Sequence, residues 1–406
     1  MATLLKNCSQ IVTNTDLGAG ELGVVERGAL LVDDSGLVAW VGLEAELPSD
    51  LPHDTLVDLK GRVVMPGLVE CHTHLVFAGD RTQDYADRCA GISYEEVAKR
   101  GGGIRLSVRE TRLASRETLL ELGRARLAQF LEMGVTTVEI KSGYGLSYED
   151  ELKCLEVIAE LSDEGPVRVV ATVLGAHIVP DDYADRRGEY VSMLVDELLP
   201  VVARRELASF VDVFCETGAY TVTETRQIFS RARELGFGIK VHAEQLSRTG
   251  ATLLATEFGA ASADHLEFVE DADVAALAAS GTVAVLLPGA GLFLGGNKRP
   301  PARKLLDAGV SVALSTDFNP GTCPSVHLPM MTTLGCSWLG LAPFEAIRGV
   351  TVAAAQALDL KDGRGTLAVG APADFSVHKI ASWAEIPYLF GRNTADEVWV
   401  AGNRVS

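Results

Sequence analysis

Arg62-Val63-Val64-Met65-Pro66-Gly67-Leu68-Val69-Glu70-Cys71-His72-Thr73-His74 is an apolar run that ends in two histidines one residue apart. In a β-strand, residues i and i+2 point to the same side. His72 and His74 would therefore project together from the end of a strand, as two ligands of one metal ion require. Cys71 would face the other way and is not counted among the ligands. An H-x-H pair by itself is more often a surface or core feature than a metal site, so the rest of the chain has to decide.

Histidine is scarce, with eight in 406 residues. Three more lie at the C-terminal ends of apolar runs: His177 after Val169–Ala176, His242 after Gly238–Val241, and His265 after Ser262-Ala263-Asp264. Asp317 follows Val312–Thr316 in the same way, and only His53, His327 and His378 fall outside the pattern. A satisfied core histidine explains any one of these. It does not explain five at strand ends together with a strand-end aspartate.

Bulk properties narrow the classes. The length suits one large barrel plus a smaller module. A hydrophobic content of 47% with 6% aromatics fits a globular protein with a large aliphatic core. A net charge of −19 argues against nucleic acid or an anionic membrane as partner. It also means that an anionic substrate needs a local cation. No apolar run approaches the length that spans a bilayer, and Met1–Asn7 lacks the apolar core of a signal peptide. Seven scattered cysteines without a CxxC pair lead us to expect free thiols in a reducing cytoplasm.

The two ends of the chain have β character. Ile11-Val12-Thr13, Ala29–Val32 and Leu37–Val41 are short and β-rich, and Asp33-Asp34-Ser35-Gly36 makes a hairpin turn. Phe375-Ser376-Val377 and Glu397–Val400, before the turn Ala401-Gly402-Asn403, look alike. Residues 1–62 and 366–406 are therefore expected to build one small composite β domain, sandwich-like in kind. From 63 to 365 the rhythm is strand, loop, helix. Eight strands are expected at 63–69, 135–140, 167–174, 209–214, 238–242, 260–264, 282–287 and 310–316. Helical periodicity lies between them, and several of those segments stop at glycine, as at Gly134, Gly236, Gly281 and Gly309. The expected fold is α/β, a (β/α)8 barrel with its site at the C-terminal ends of the strands. A doubly wound open sheet is the alternative, weakened because no G-x-G-x-x-G follows the first strand. Gly101-Gly102-Gly103 follows no strand and is expected to be a mobile loop.

On a barrel, His72, His74, Lys141, His177, Glu216, His242, His265 and Asp317 converge on one mouth. Imidazoles and a carboxylate suit Zn²⁺ or Fe²⁺ with a position left for water. Water activated in this way is a strong nucleophile at neutral pH, and an adjacent Asp can pass its proton to a leaving nitrogen. The implied class is hydrolysis of a C–N bond at a carbonyl or amidine carbon.

The P-G-L-V-E-C-H-T-H segment with His242, His265 and Asp317 resembles the amidohydrolase superfamily. Phe77–Arg81, Gly101–Ile104, Glu139–Leu146, Gly175-Ala176-His177, His242–Gln245 and Ser315–Thr322 are similar, more narrowly, to the imidazolonepropionases of histidine degradation. That resemblance spans nearly the whole chain. It implies ring opening of imidazolonepropionate with water to N-formimidoyl-glutamate. It also implies one divalent metal per chain, zinc or iron (Fe²⁺/³⁺), on His72, His74, His242 and Asp317. Two-metal members of the superfamily place a carboxylated Lys at strand four, where this chain has Cys215-Glu216. Further implied roles are His265 on the water or the oxyanion, His177 polarising the ring carbonyl, and Arg81 holding the propionate as a bidentate fork. Tyr144, Gln245, Asn319, Gly321 and Thr322 complete the substrate contacts, and Lys141 is left as structural. Some imidazolonepropionases have Glu where this chain has Gln245. A Gln cannot act as a base, which moves proton transfer toward Asp317 and His265. Resembling proteins are commonly homodimers. The competing readings are another mononuclear amidohydrolase, such as a cytosine- or guanine-type deaminase, and a non-catalytic barrel that binds a partner.

Overall fold

The computed structural model describes residues 1–92, 96 and 100–406. Two eight-stranded sheets organise it. The first takes strands from both ends of the chain: β1 Thr3–Val12, β2 Val24–Val32, β3 Val38–Leu43, β4 Thr55–Asp58 and β5 Val63–Pro66, then β14 Phe375–His378, β15 Ala395–Val400 and β16 Asn403–Arg404. Its order is β16-β15-β14-β5-β1-β2-β3, with β4 pairing on β1. Leu5, Ile11, Leu30, Val64, Phe375, Val377 and Trp399 form its apolar core, and the last aromatic stacks on Phe375 at 5.3 Å. The expected turn is present: Asp33 Oδ1 accepts from the Ser35 and Leu37 N–H groups at 2.9 and 3.0 Å.

The second sheet is the barrel. Its strands run in chain order, all parallel: β6 Leu68–Glu70, β7 Val135–Lys141, β8 Arg168–Ala176, β9 Phe210–Cys215, β10 Gly238–Ala243, β11 Ser262–His265, β12 Val283–Leu286 and β13 Val312–Leu314. The strand expected at 63–69 is two strands. Val63–Pro66 pairs with β1 and β14 in the terminal sheet, and the barrel's first strand begins at Leu68. The chain changes sheets at Gly67, where a Cβ would lie 2.2 Å from Thr136 Oγ1, so only glycine passes. Both halves are fully buried, so hydrophobicity alone carries no sign of the crossing.

The first and last barrel strands do not pair along their length. A single parallel bridge between Thr73 and Phe318 joins them, with the His74 N–H donating to the Phe318 carbonyl at 2.9 Å. The Glu70 carboxyl adds to this closure, accepting from the N–H groups of His72 and Thr316, each at 3.1 Å, and from the Ser315 hydroxyl. Burial pushes its pKa up to about 8.

Helices follow the expected rhythm with instructive differences. Gly134 and Gly236 adopt φ of 85° and 88°, the left-handed stop that only glycine takes freely. The helical segment between β8 and β9 is three pieces, with a wide π turn at Met193–Leu198 just before Pro200. Proline has no N–H and breaks the regular ladder there. The helical segment that starts at Pro343 breaks after Gly349, which frees the Val350 carbonyl to accept from Val69 of β6 at 2.9 Å. The Gly101–Gly103 run, expected to be a loop, ends as the N-cap of the helix Ile104–Leu113, and the Gly103 N–H donates to Asp84 at 2.9 Å. Among the described residues no helix is long and apolar enough to cross a membrane. All seven cysteines are unpaired. Cys71 packs into an apolar cluster behind β6, away from the histidines.

Candidate metal centre and active site

β6 carries the chain into His72 and His74, β10 contains His242, β11 ends at His265, and Asp317 lies three residues past β13. His265 and Asp317 have φ of 81° and 57°. Non-glycine residues in that region mark backbone bent to aim a side chain. His72, His74 and His242 bring ligand nitrogens within 4.8 Å of one another, and so do the ligand atoms of His72, His265 and Asp317. Asp317 Oδ1 is 3.5 Å from His72 Nε2 and 3.4 Å from His74 Nε2, and His74 Nε2 is 3.4 Å from His242 Nε2.

The outer nitrogens fix the tautomers. His72 Nδ1 donates to Asp264 at 2.6 Å, and His242 Nδ1 donates to Asp212 at 3.1 Å. With Nδ1 protonated in each neutral ring, both Nε2 atoms point lone pairs inward. The His72 Nε2 lone pair faces a carboxylate oxygen, has no hydrogen-bond partner and is fully buried. His74 and His242 Nε2 face each other and the inward lone pair of His72 faces an anion, an arrangement that a cation between them would stabilise. Three imidazole nitrogens and one carboxylate oxygen match the donor set of a catalytic zinc-type site. Burial lowers the pKa of His72, His74 and His177 well below that of a free imidazole, and that of His265 to about 3. All four rings are neutral at neutral pH, with lone pairs available.

Glu216, expected to mark a one-metal site, turns away from the histidines. Its Oε2 accepts from the Leu246 and Ser247 N–H groups at 2.9 and 3.2 Å, and Oε1 accepts from the Thr217 N–H at 2.7 Å and from the Ser247 hydroxyl. Both oxygens hold the loop after β10.

Beside the histidines opens a cavity of about 320 Å³, lined by His74, Arg81, Ile104, Tyr144, His177, Phe214, His242, Gln245, Leu246, His265, Asp317, Asn319, Gly321 and Thr322, among others. Every residue expected to touch substrate lines it. The Arg81 guanidinium is paired with the Asp84 carboxylate and lies against Gly321, where a Cβ would approach it to 2.8 Å. Arg126 steadies the approach to Arg81 by donating to the Leu75 and Phe77 carbonyls, both at 2.7 Å. Burial raises the Tyr144 pKa, so its hydroxyl remains a donor.

Two expected roles change. His177 Nδ1 lies 3.0 Å from the Gly143 carbonyl, so that nitrogen must carry the proton. In the neutral ring Nε2 is then an acceptor, suited to a ring N–H rather than to polarising a carbonyl. Asn319, Gly321 and Thr322 spend their amide groups within their own turn: Asn319 Oδ1 accepts from the Gly321 and Thr322 N–H groups, and Nδ2 donates to the Asp317 carbonyl and to Thr322 Oγ1. The Thr322 hydroxyl in turn reaches Asp317 Oδ2 at 3.1 Å. The turn sets the orientation of Asp317. Asp212, Asp264 and Glu139 escaped the sequence reading. Their signal was a charge inside an otherwise apolar strand: Asp212 midway along Phe210–Cys215, Asp264 beside His265, and Glu139 two residues before Lys141.

Comparison with known proteins agrees with this geometry. The amidohydrolase family matches residues 80–406. The imidazolonepropionase of Pseudomonas putida strain F1 is 44% identical over 406 residues, covering all of both chains. That of Cupriavidus pinatubonensis is 47% identical over 369 residues, 91% of this chain and 87% of that one. The chain belongs to the imidazolonepropionase family. Another imidazolonepropionase, from Symbiobacterium thermophilum, is 46% identical over 389 residues, 95% of this chain and 91% of that one. Among solved structures, an adenosine deaminase from Xanthomonas campestris with bound zinc superimposes with a TM-score of 0.74 at 18% identity, over 99% of this chain and 92% of that one. A mutant of atrazine chlorohydrolase from Arthrobacter aurescens, complexed with zinc and atraton, gives 0.71 at 17% identity, over 99% of this chain and 94% of that one. At such identity the likeness is one of fold. This chain thus combines an amidohydrolase barrel with the histidine and aspartate set described above.

Proposed function

We propose that this chain hydrolyses the ring of imidazolonepropionate to N-formimidoyl-glutamate with one divalent ion, zinc or iron, held by His72, His74, His242 and Asp317. Family membership carries the reaction class. The observation that supports the site is the approach of His72 and His74 Nε2 to Asp317 Oδ1, with His242 Nε2 against His74 Nε2, beside a cavity with one guanidinium at its wall. Support for a single ion comes from Glu216, whose oxygens are both committed to the neighbouring loop.

Such an ion supplies Lewis-acid activation of water and polarisation of the ring carbonyl. The chain's own groups do the rest. Arg81 fixes the propionate carboxylate and brings the ring against His74 and His265, with Tyr144 donating to the bound substrate. His177 Nε2 accepts from a ring N–H and sets which face of the ring is presented. Gln245, which cannot take a proton, orients the ring as a donor or acceptor. Water oxygen adds to the carbonyl carbon, and Asp317 takes the water's proton. His265 holds the developing oxyanion or the water in place. The ring C–N bond then breaks, and Asp317 returns its proton to the leaving nitrogen, so one water is consumed and no other reactant is needed.

The experiment is turnover of freshly prepared imidazolonepropionate by the metal-loaded protein, followed by mass spectrometry. Conversion to a product heavier by one water, identified as N-formimidoyl-glutamate, is expected. An inert imidazolonepropionate alongside turnover of a neutral pyrimidine or purine would replace this assignment with a deaminase.

A further inference from the structure

Beneath the four candidate ligands, the barrel interior holds charges where such barrels usually hold branched apolar side chains. Lys141 is fully buried at the end of β7. Its Nζ is 2.8 Å from Glu139 Oε1, 2.8 Å from Asp212 Oδ2 and 3.9 Å from Asp264 Oδ2. Asp212 uses its other oxygen on His242 Nδ1, and Asp264 uses the same Oδ2 on His72 Nδ1. One ammonium therefore touches both carboxylates that fix the tautomers of two ligands on strands β6 and β10. Burial works against the charge of Lys141, but Asp212 and Glu139 outweigh it, and the ammonium stays protonated. Lys240, the other buried lysine among the described residues, reaches the Cys71 and Ala357 carbonyls and Glu139; its charge also acts on Asp264, but it forms no ion pair with either aspartate.

We infer that Lys141 is a positioning residue that couples His72 and His242 through Asp264 and Asp212, holding both imidazoles in the orientation that binds the metal. This rests on the proposed metal centre. An ammonium donates along three directions, so it can hold two carboxylates from different strands at once, which no neutral side chain of its length does. If it is lost, Asp212 and Asp264 face each other across the barrel without a shared cation. One of them is then free to turn away, and its histidine loses the acceptor that sets its tautomer.

The test is zinc affinity, measured by competition with a chromophoric chelator on wild type and three variants, alongside thermal unfolding of each metal-free protein. Lys141→Met removes the ammonium at constant length. Lys141→Met with Glu139→Gln removes one positive and one negative charge together, which keeps the net buried charge and favours folding if the single variant fails. Glu139→Gln alone leaves Lys141 on both aspartates. Wild type should bind zinc tightly; no zinc binding by wild type would refute the metal centre itself, a separate failure. Given wild-type binding, the double variant should fold and bind zinc ten- to a hundred-fold more weakly, while Glu139→Gln stays within about threefold of wild type. Zinc affinity within threefold of wild type in the folded double variant would overturn the inference and leave Lys141 as a structural ion. So would a loss as large in Glu139→Gln, or a double variant that cannot fold, because either places the role in the fold rather than in the ligand geometry.

Discussion

His378 in the terminal sheet and His72 in the barrel are equally buried, and they do different things. His378 sits on β14 with Nε2 on the Ser376 hydroxyl at 2.8 Å and Nδ1 on the Thr394 hydroxyl at 2.9 Å. Both nitrogens are satisfied by short neighbouring side chains, and the ring is inert. His72 has one nitrogen committed to Asp264, while the other faces Asp317 and the Nε2 atoms of its neighbours without a partner. Burial is common to both, so what separates them is the inward nitrogen of His72, which faces a carboxylate and other ring nitrogens where His378 has a hydroxyl. The same contrast holds for the sheets. The terminal sheet closes over an apolar core, whereas the barrel places Lys141, Glu139, Asp212 and Asp264 inside, an expensive arrangement unless the charges are paired.

Changes at the barrel mouth should hit chemistry, and changes in the terminal sheet only stability. The largest effect is expected for Asp317→Asn. Losing both a ligand and the proton carrier should lower kcat about a thousand-fold or more, on the order of 4 kcal/mol of transition-state stabilisation, while circular dichroism shows a folded protein. Near-normal turnover in the metal-replete variant would remove Asp317 from that role.

Arg81→Ala comes next and separates substrate binding from chemistry. A carboxylate left desolvated and unpaired should cost roughly 2–4 kcal/mol, seen as a raised KM for imidazolonepropionate with a smaller change in kcat. Arg81→Lys should recover only part of this, because an ammonium cannot form the fork. An unaltered KM in Arg81→Ala would place the carboxylate elsewhere.

The smallest effect on catalysis is expected for His378→Gln, with kcat and KM unchanged. Its signature lies in stability against pH. Burial pushes the His378 pKa down to about 4, below the ordinary imidazole value of 6.5. Between those values the unfolded chain binds a proton that the folded chain refuses, so stability falls as pH drops through that window, by up to about 1.4 kcal/mol per pH unit for this group. Above 6.5 the group contributes no slope. Chemical denaturation from pH 7.5 to 4.5 should show a shallower decline in His378→Gln than in wild type. A parallel decline, or a fall in kcat, would erase the distinction between the two histidines.

Much of this was legible in the sequence. The alternation of strands with glycine-terminated helices gave the barrel, and the strand-end histidines with Asp317 gave the candidate ligands, because period-two geometry follows from residue spacing alone. The split at Gly67 was hidden, since both sheets bury that run on all sides. The tautomer of His177 was hidden as well, because it depends on the Gly143 carbonyl, which only the folded turn brings within reach. Asn319 lines the cavity as expected, while its side-chain amide is held in a turn that composition does not reveal. The aspartates behind the histidines were visible as charges in apolar strands, yet only the barrel's closure shows that Asp212 and Asp264 share one lysine.

The most direct measurement is the metal content of each chain. Purified protein, loaded with zinc and dialysed exhaustively, should retain one ion per chain by native mass spectrometry, His72→Ala should retain none, and His378→Ala should retain one. Two tightly held ions per wild-type chain, or full retention in His72→Ala, would contradict a single centre built on His72 and its neighbours.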